Sequence, residues 1–584
     1  MKTRQAISKI SLALVLVFSV LFTSCEKEEG FNDTSSGSDH NDIGAIDQGA
    51  SIQRDFIGKI IDESSMPLSD VSVVIGSKIA TTDANGIFMI KNASVNERQA
   101  YVTAEKAGFI TGLKTLVPTE GISNVRIMLV AKNLTGSVSS GINSEVSLGN
   151  GAKVKLDGAF KDEDGNAYSG NVDVYMYHLD PAHANVYDVM PGNLQAINND
   201  DDEQLLETYG MLNVELKGDS GQKLNIADGH LAEIHMPLDP AQSGVAPSTI
   251  PLWHFDEVNG YWVEDGEAHL IGGVYIGEVS HFSWWNCDAP FPAVSFCLNV
   301  VDDNNMPISN VKVTLERAGE IYPRYGFSNA NGEICGLIPA NETITLMAYD
   351  QCGAVVFSTL IGPFSTDTNY GDIVLSGAIT ETISGNLVNC SNANVTDGYV
   401  NLTYGNQDAS VEVTNGAFAM NIIKCASINT FSLEGVDYDA FQSTTVLPFN
   451  LSTPNVGSIM ACSAVTEFIS VQVNSDPAEY HLINIYAYQE GPVGGMFVVS
   501  SQSEDGSIGV GGTSTAPGTY TTPDFWLQSS MLDMDYNALD TLQFTISNFG
   551  PIGGYVDMTI TGTYTDTSGV VKNLAITIHV LLDS

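Results

Sequence analysis

The chain has 584 residues, enough for several domains, with 69 acids against 23 bases and a net charge of −46. A field of that sign repels nucleic acid and anionic lipid headgroups, and a hydrophobic content of 43% excludes general disorder. Gly is plentiful, no long run shows a helical period and short alternating segments recur, which predicts an all-β protein. At the start, Lys2, Arg4 and Lys9 precede an apolar run from Ile10 to Phe22 broken only by Ser11 and Ser19. That run is too short to span a bilayer comfortably and reads as the core of a signal peptide over residues 1–24.

Leu21-Phe22-Thr23-Ser24-Cys25 follows, a small residue directly before a Cys. It resembles the bacterial lipobox. The resemblance implies a diacylglycerol on the Cys25 thiol, cleavage before it and acylation of the new amine by a chain such as palmitate. Several acyl chains anchor firmly because each buried CH₂ contributes about 0.8 kcal/mol. The other reading is an ordinary cleaved signal followed by an unmodified Cys. Lys27, Glu28 and Glu29 resemble the surface-export signal of Bacteroidetes lipoproteins, which implies the outer membrane and its exterior face; a solvated charged linker has the same composition. Residues 25–52, rich in Ser, Gly, Asp and Asn, are expected to form a lipid-anchored flexible tether.

Three stretches then share one pattern. Pro67-Leu68-Ser69-Asp70-Val71-Ser72-Val73 precedes Thr82-Asp83-Ala84-Asn85-Gly86-Ile87-Phe88, and Pro307-Ile308-Ser309-Asn310-Val311 precedes Ser328-Asn329-Ala330-Asn331-Gly332. A looser copy has Val395-Thr396-Asp397-Gly398-Tyr399-Val400 before Thr414-Asn415-Gly416-Ala417-Phe418. Each Asn-Gly is expected to make a type I′ hairpin turn, with positive φ at both central residues. Gly332 and Gly416 are separated by the length of one small β-sandwich. The first copy resembles the carboxypeptidase regulatory-like domain, a transthyretin-like sandwich. The resemblance implies a non-catalytic, carbohydrate-binding-like fold of the kind found in carbohydrate-processing and adhesive proteins. The expected sandwiches, transthyretin-like or Ig-like, cover 53–132, 289–378 and 379–464.

Residues 133–288 also alternate, as in Val172-Asp173-Val174-Tyr175-Met176-Tyr177 and Gly260-Tyr261-Trp262-Val263-Glu264. This stretch resembles the extracellular part of FAM171-type and cartilage-intermediate-layer proteins and, distantly, the ZU5 domain. Near its end stand His281, Phe282 and Ser283. Self-cleaving relatives of ZU5 cut at such a tripeptide, so the resemblance implies that His281 would take the Ser283 proton and Oγ would attack the Phe282 carbonyl. The plain alternative is an aromatic strand end whose His and Ser bond to backbone. His230-Leu231-Ala232-Glu233 matches a zinc-ligand spacing, but it lies in an alternating segment and reads as a chance match. Asp162, Asp164 and Asn166 place oxygens at alternate positions, as calcium loops do, but Ala167 stands where such a loop needs Gly; a β-turn is the preferred reading.

Residues 465–584 form a last β unit matching no recognised family, with strands expected at 542–546, 556–560 and 574–578. Tyr520, Phe525 and Trp526 are candidates either for stacking a ligand or for the core. With Cys25 assigned to lipid, seven of eight Cys remain, an odd number that leaves at least one thiol outside intramolecular bridges; their spacing is not that of a zinc site. There is no P-loop, Rossmann fingerprint or Gly-x-Ser-x-Gly elbow. The chain reads as a non-enzymatic surface lipoprotein without a cofactor. Its domains, in series, would present an adhesive or ligand-binding surface to an extracellular glycan or protein. An accessory carbohydrate-binding role in polysaccharide uptake, and self-cleavage between Phe282 and Ser283, are the alternatives.

Overall fold

A computed structural model describes residues 46–584 apart from 441, 463, 466, 475–478, 482–483, 491–495, 504–505, 523, 535–541 and 553. Cys25, Lys27, Glu28 and Glu29 lie outside the described residues. The fold is all-β: among the described residues, helix is confined to Val186–Val189 and a 3₁₀ turn at Pro240–Gly244. Among those residues no helix is long and apolar enough to cross a membrane.

The three copies share a topology. In each, a first strand pairs antiparallel with the strand after the Asn-Gly turn and parallel with the last strand. Ser51–Ile61 lies between Ile87–Asn96 and Ser123–Met128. Trp284–Val301 lies between Glu333–Pro339 and Thr368–Val374, and Thr380–Asn389 between Ala417–Ile423 and Asn455–Ala461. A second sheet faces each of these: Lys78–Thr81, Ser72–Ile75, Ala100–Glu105 and Gly112–Leu116 in the first copy, with counterparts in the others. Period-two alternation sends Val73, Ile75, Val102 and Ala104 inward against Phe56, Ile60, Phe88 and Ile90 to make the first core.

The Asn-Gly turns depart from the expected hairpin. The strands flanking them belong to opposite sheets, so each turn carries the chain across the sandwich. In the first two copies only Gly86 and Gly332 have positive φ, +69° and +77°. The reason is the preceding Asx side chain. Asp83 Oδ1 accepts from the amides of Asn85 and Ile87, and Asn329 Oδ1 from those of Asn331 and Glu333. Only the third copy has positive φ at both residues, Asn415 and Gly416. The Gly has a second reason to be there: its carbonyl accepts from Ile60, Val300 or Leu387 on the first strand at 2.7–2.8 Å.

Residues 133–288 build a large sheet around a core that includes Val172, Leu212, Leu252 and Trp285. Trp284–Val301 serves two domains at once. Its first half pairs with Glu203–Gly218 and its second half with Glu333–Pro339, so the boundary expected between 288 and 289 falls inside a continuous strand.

The copies do not follow one another in a line. Ile57 and Ile87 of the first share a buried cluster with Tyr399 of the third, framed by Lys59–Asp408 (2.9 Å) and Lys91–Glu412 (2.7 Å). Ile61, Leu113 and Val117 of the first copy pack with Trp253, Phe255 and Trp284 of the middle region. The expected row of domains is thus folded back on itself, because the first copy keeps apolar surface that only the later domains cover.

Of the seven Cys, six form bridges: 297–335, 352–425 and 390–462, the second joining two copies; Cys287 is free and buried. The C-terminal unit is a sandwich of a six-stranded and a four-stranded sheet. Among the described residues, its core, from Ile469 to Leu582, takes no member from outside the unit.

Candidate functional site

The four-stranded C-terminal sheet runs Ile485–Glu490, Met496–Ser503, Gly506–Gly512, Phe525–Ser529. Ala487, Phe497, Val499, Ile508, Val510, Phe525 and Leu527 point into the core. Alternation therefore places their neighbours on the outer face. The register aligns these into rows: Tyr488, Val498, Gly511, Trp526, and beside it Tyr486, Ser500, Gly509, Gln528. A third, polar row continues with Asn484, whose amide donates to Gln502 O, and with Ser507 and Ser530, whose hydroxyls are 3.3 Å apart.

This face holds a groove of about 560 Å³ whose lining includes Asn484, Tyr486, Ser500, Gln502, Gln528 and Trp526. The described lining residues carry no charge, although the chain has 69 acids. Gly509 and Gly511 set the position of the indole. A Cβ on Gly511 would lie 2.4 Å from Trp526 Cε2, and one on Gly509 would lie 3.4 Å from Cζ3. The ring thus lies across the backbone of this strand, and at Gly511 the approach is close enough to need glycine, whereas a Cβ at Gly509 would make an ordinary contact. Tyr486, 60% exposed, stands on the opposite edge of the sheet.

The aromatic candidates divide accordingly. Phe525 is a core residue, 1% exposed, and Tyr520 stacks on it at 4.6 Å while donating its hydroxyl to Ala516 O at 2.7 Å. Neither faces the groove; Trp526 does. Tyr486 was missed from sequence, although Ile485-Tyr486-Ala487-Tyr488 alternates large exposed rings with a small buried residue.

His281, Phe282 and Ser283 form the bend between strands Val274–Val279 and Trp284–Val301. Phe282 is buried, and Asn225 brackets it: Oδ1 accepts from the Phe282 amide at 2.7 Å and Nδ2 donates to the Phe282 carbonyl at 3.4 Å. The His281 ring packs edge-on to His254 at 4.7 Å and against Trp285, whose indole N–H donates to His281 O. Burial, then the neighbouring His281, pushes His254 down to about 3, so it is neutral at physiological pH. Ser283 Oγ donates to the carbonyl of Trp284 at 3.1 Å.

The oxygen-rich candidates are engaged in local structure. Asp162 Oδ1 accepts from the Asn166 amide at 2.8 Å and closes a tight turn that contains Asp164. His230 pairs with Asp157, and Glu233 with Lys155 and His235, so the His-x-x-Glu residues turn to separate partners. Among the described residues no group of three or more His, Cys, Asp or Glu is placed to hold a metal.

No family model matches the chain. It is weakly similar to cartilage intermediate layer protein 2 of Mus musculus, 24% identical over 224 residues, which is 36% of this chain and 19% of that protein. The Homo sapiens counterpart is 28% identical over 120 residues, 20% of this chain and 10% of that protein. The matched segment spans about a fifth of the mouse relative's length. Among solved structures, a streptococcal ancillary pilin matches at 11% identity and a TM-score of 0.14, covering 38% of this chain and 95% of that one. The major pilin subunit of Bacillus cereus matches at 10% identity and a TM-score of 0.12, covering 55% and 99%.

Proposed function

We propose that this chain is a non-enzymatic lipoprotein of the outer cell surface, held by acyl chains on Cys25, whose β-domains form a scaffold for adhesion or ligand binding. One observation carries the reading: the C-terminal sandwich has a core of its own and turns an uncharged, aromatic-bearing groove to solvent. A site on a unit with a core of its own is suited to presentation. The lipobox-like Ser24-Cys25 and the following Lys27-Glu28-Glu29 support attachment and surface exposure. The test is labelling of cells with an alkyne fatty acid, combined with protease shaving of intact cells. The label is expected on this chain, absent from Cys25→Ala, and the chain is expected to be shaved. An unlabelled or fully protected chain would overturn the reading.

Within it, an accessory role in polysaccharide uptake draws on the same groove. Deleting the gene would then slow growth on a polysaccharide without changing attachment. The self-cleaving alternative draws on Asn225, which polarises the Phe282 carbonyl, but the Ser283 hydroxyl is turned to the following carbonyl, and the intact chain is the form we favour.

A further inference from the structure

We infer that the outer face of the four-stranded C-terminal sheet binds an uncharged oligosaccharide laid across the strands, with Trp526 and Tyr486 as stacking positions. The inference rests on the ligand-binding reading above and names its ligand class.

A pyranose ring has an apolar C–H face and a rim of hydroxyls. The first needs a flat ring with one side open; the second needs neutral side chains that both donate and accept. Trp526 supplies the first. Its inner side is closed by the backbone of Gly509 and Gly511, which fixes its orientation, and it lines the groove. Tyr486, in the row beside it at the opposite edge, supplies a second ring. The sheet is four strands wide, so these edges are about 14 Å apart at the usual strand spacing, room for a short oligosaccharide. Ser500 lies between them and Gln528 beside Trp526, while Gln502 and Asn484 follow in the next row on the Tyr486 side; together they supply hydroxyl and amide groups around the two rings.

The same lining argues against other occupants. An anionic glycan or a phosphorylated ligand needs Lys or Arg, and the described lining holds none. A peptide adding to a sheet uses the strand edge and its free backbone groups, whereas this groove is on the face. An amphipathic helix needs a contiguous apolar trough, whereas rows of Ser, Gln and Asn interrupt this one. The groove volume falls in the range of small-ligand sites.

The test uses the full chain on an array of neutral oligosaccharides (glucan, mannan, xylan and galactan fragments) alongside uronate- and sialate-bearing ones, followed by titration calorimetry on the best binder. Binding to a neutral class is expected, weakened at least about tenfold by Trp526→Ala and measurably by Tyr486→Ala. Tyr486 is exposed, so its variant keeps the test valid if Trp526→Ala perturbs folding. Gly511→Val, which displaces the indole, is expected to act like Trp526→Ala, while Tyr520→Phe, off the groove, is expected to leave affinity unchanged. Binding restricted to acidic glycans, no binding at all, or binding indifferent to both aromatic variants would overturn the inference. The scaffold reading is judged separately by surface shaving and by cell attachment: a chain exposed on cells that supports attachment with Trp526→Ala as well as without it would retain that reading and sink this one.

Discussion

The Tyr399 hydroxyl donates to the Asp83 carboxylate at 2.7 Å, joining residues 316 apart in the chain. Tyr438 donates to the same oxygen at 3.1 Å, and Asp83 Oδ1 meanwhile holds its own turn. One buried carboxylate thus closes the sheet crossing of the first copy and ties that copy to the third. Burial opposes its charge and raises its pKa, against hydrogen bonds from Tyr399, Ile87, Asn85 and Tyr438 that pull the other way. The folded chain therefore binds this proton more readily than the unfolded chain does. The contribution of Asp83 to stability is least favourable at neutral pH, improves as pH falls through the raised value, and levels off below the ordinary value of 3.8. Asp83→Asn keeps the turn acceptor and removes the charge; the second copy already has Asn329 at this position. It also puts an amide N–H where Oδ2 accepts from Tyr399 and Tyr438, so the variant is expected to be less stable than the parent but more stable than Asp83→Ala, with its deficit growing as pH falls from 7 towards 4. Asp83→Ala is expected to lose about 2–3 kcal/mol, since turn amides and two tyrosine hydroxyls lose their acceptor. Denaturant melts at several pH values check both.

The cysteines make a separable prediction. The Cys352–Cys425 bridge closes a 73-residue separation and joins two copies, so its loss is expected to cost about 4 kcal/mol by loop-closure entropy. Cys287 is wholly buried, and burial followed by the neighbouring Asp288 raises its thiol well above the ordinary range. In a Cys25→Ala chain, native protein is expected to take up no thiol reagent, and denatured, unreduced protein one equivalent. Mass spectrometry reads both numbers. Three equivalents in the unreduced denatured chain would mean that a bridge is absent.

Parts of this architecture were legible in the sequence because they depend on local pattern. Alternation named the all-β class, and the odd Cys count required a thiol outside the intramolecular bridges. The strands expected at 556–560 and 574–578 fall within observed strands, and that at 542–546 overlaps Gln543–Phe549. The sequence left Phe525 and Trp526 open between core and surface, and the observed strand Phe525–Ser529 settles them by pointing neighbours to opposite faces. What stayed hidden depends on register and distance. Nothing near Asp83 announces Tyr399, and pairing among seven cysteines has no local signal. Trp284–Val301 reads as the end of one domain and the start of another because a strand shared by two sheets carries no break in its pattern. The Asn-Gly signal was read as a hairpin because type I′ turns favour that pair; the Asx residue before it, equally visible, gave the turn another way to close.

The glycine at these crossings is expected to be more costly to replace than its dihedral angle alone suggests. A Cβ on Gly86 would lie 2.3 Å from the Ile60 carbonyl oxygen, a backbone atom that also accepts from Leu68 and has little freedom to move. Gly141 has a similar φ of +78° but open space where its Cβ would go. Gly141→Ala is expected to cost about 1 kcal/mol, the strain of the left-handed region. Gly86→Ala adds a backbone clash and is expected to cost about 3 kcal/mol or more, shared between a distorted turn and a displaced first strand. Equal losses in the two variants would show that the crossing is looser than the observed geometry.

The bend at 281–283 supplies the last prediction. A hydroxyl that attacks its own preceding carbonyl must turn its oxygen towards that carbon and give its proton to a base. Here Ser283 Oγ donates instead to the Trp284 carbonyl. Purified full-length chain is therefore expected to run as one band on a denaturing gel, unchanged by Ser283→Ala or by incubation between pH 5 and pH 8. Asn225 then has a structural role, since it meets both the N–H and the carbonyl of buried Phe282. Asn225→Ala is expected to leave both groups unsatisfied and to cost about 2–4 kcal/mol, while Asn225→Asp, which keeps the acceptor for the amide, should recover part of the loss. Two fragments meeting at residue 283, abolished by Ser283→Ala, would reverse the assignment: Asn225 would then act on the carbonyl as a catalytic donor, and the chain would process itself.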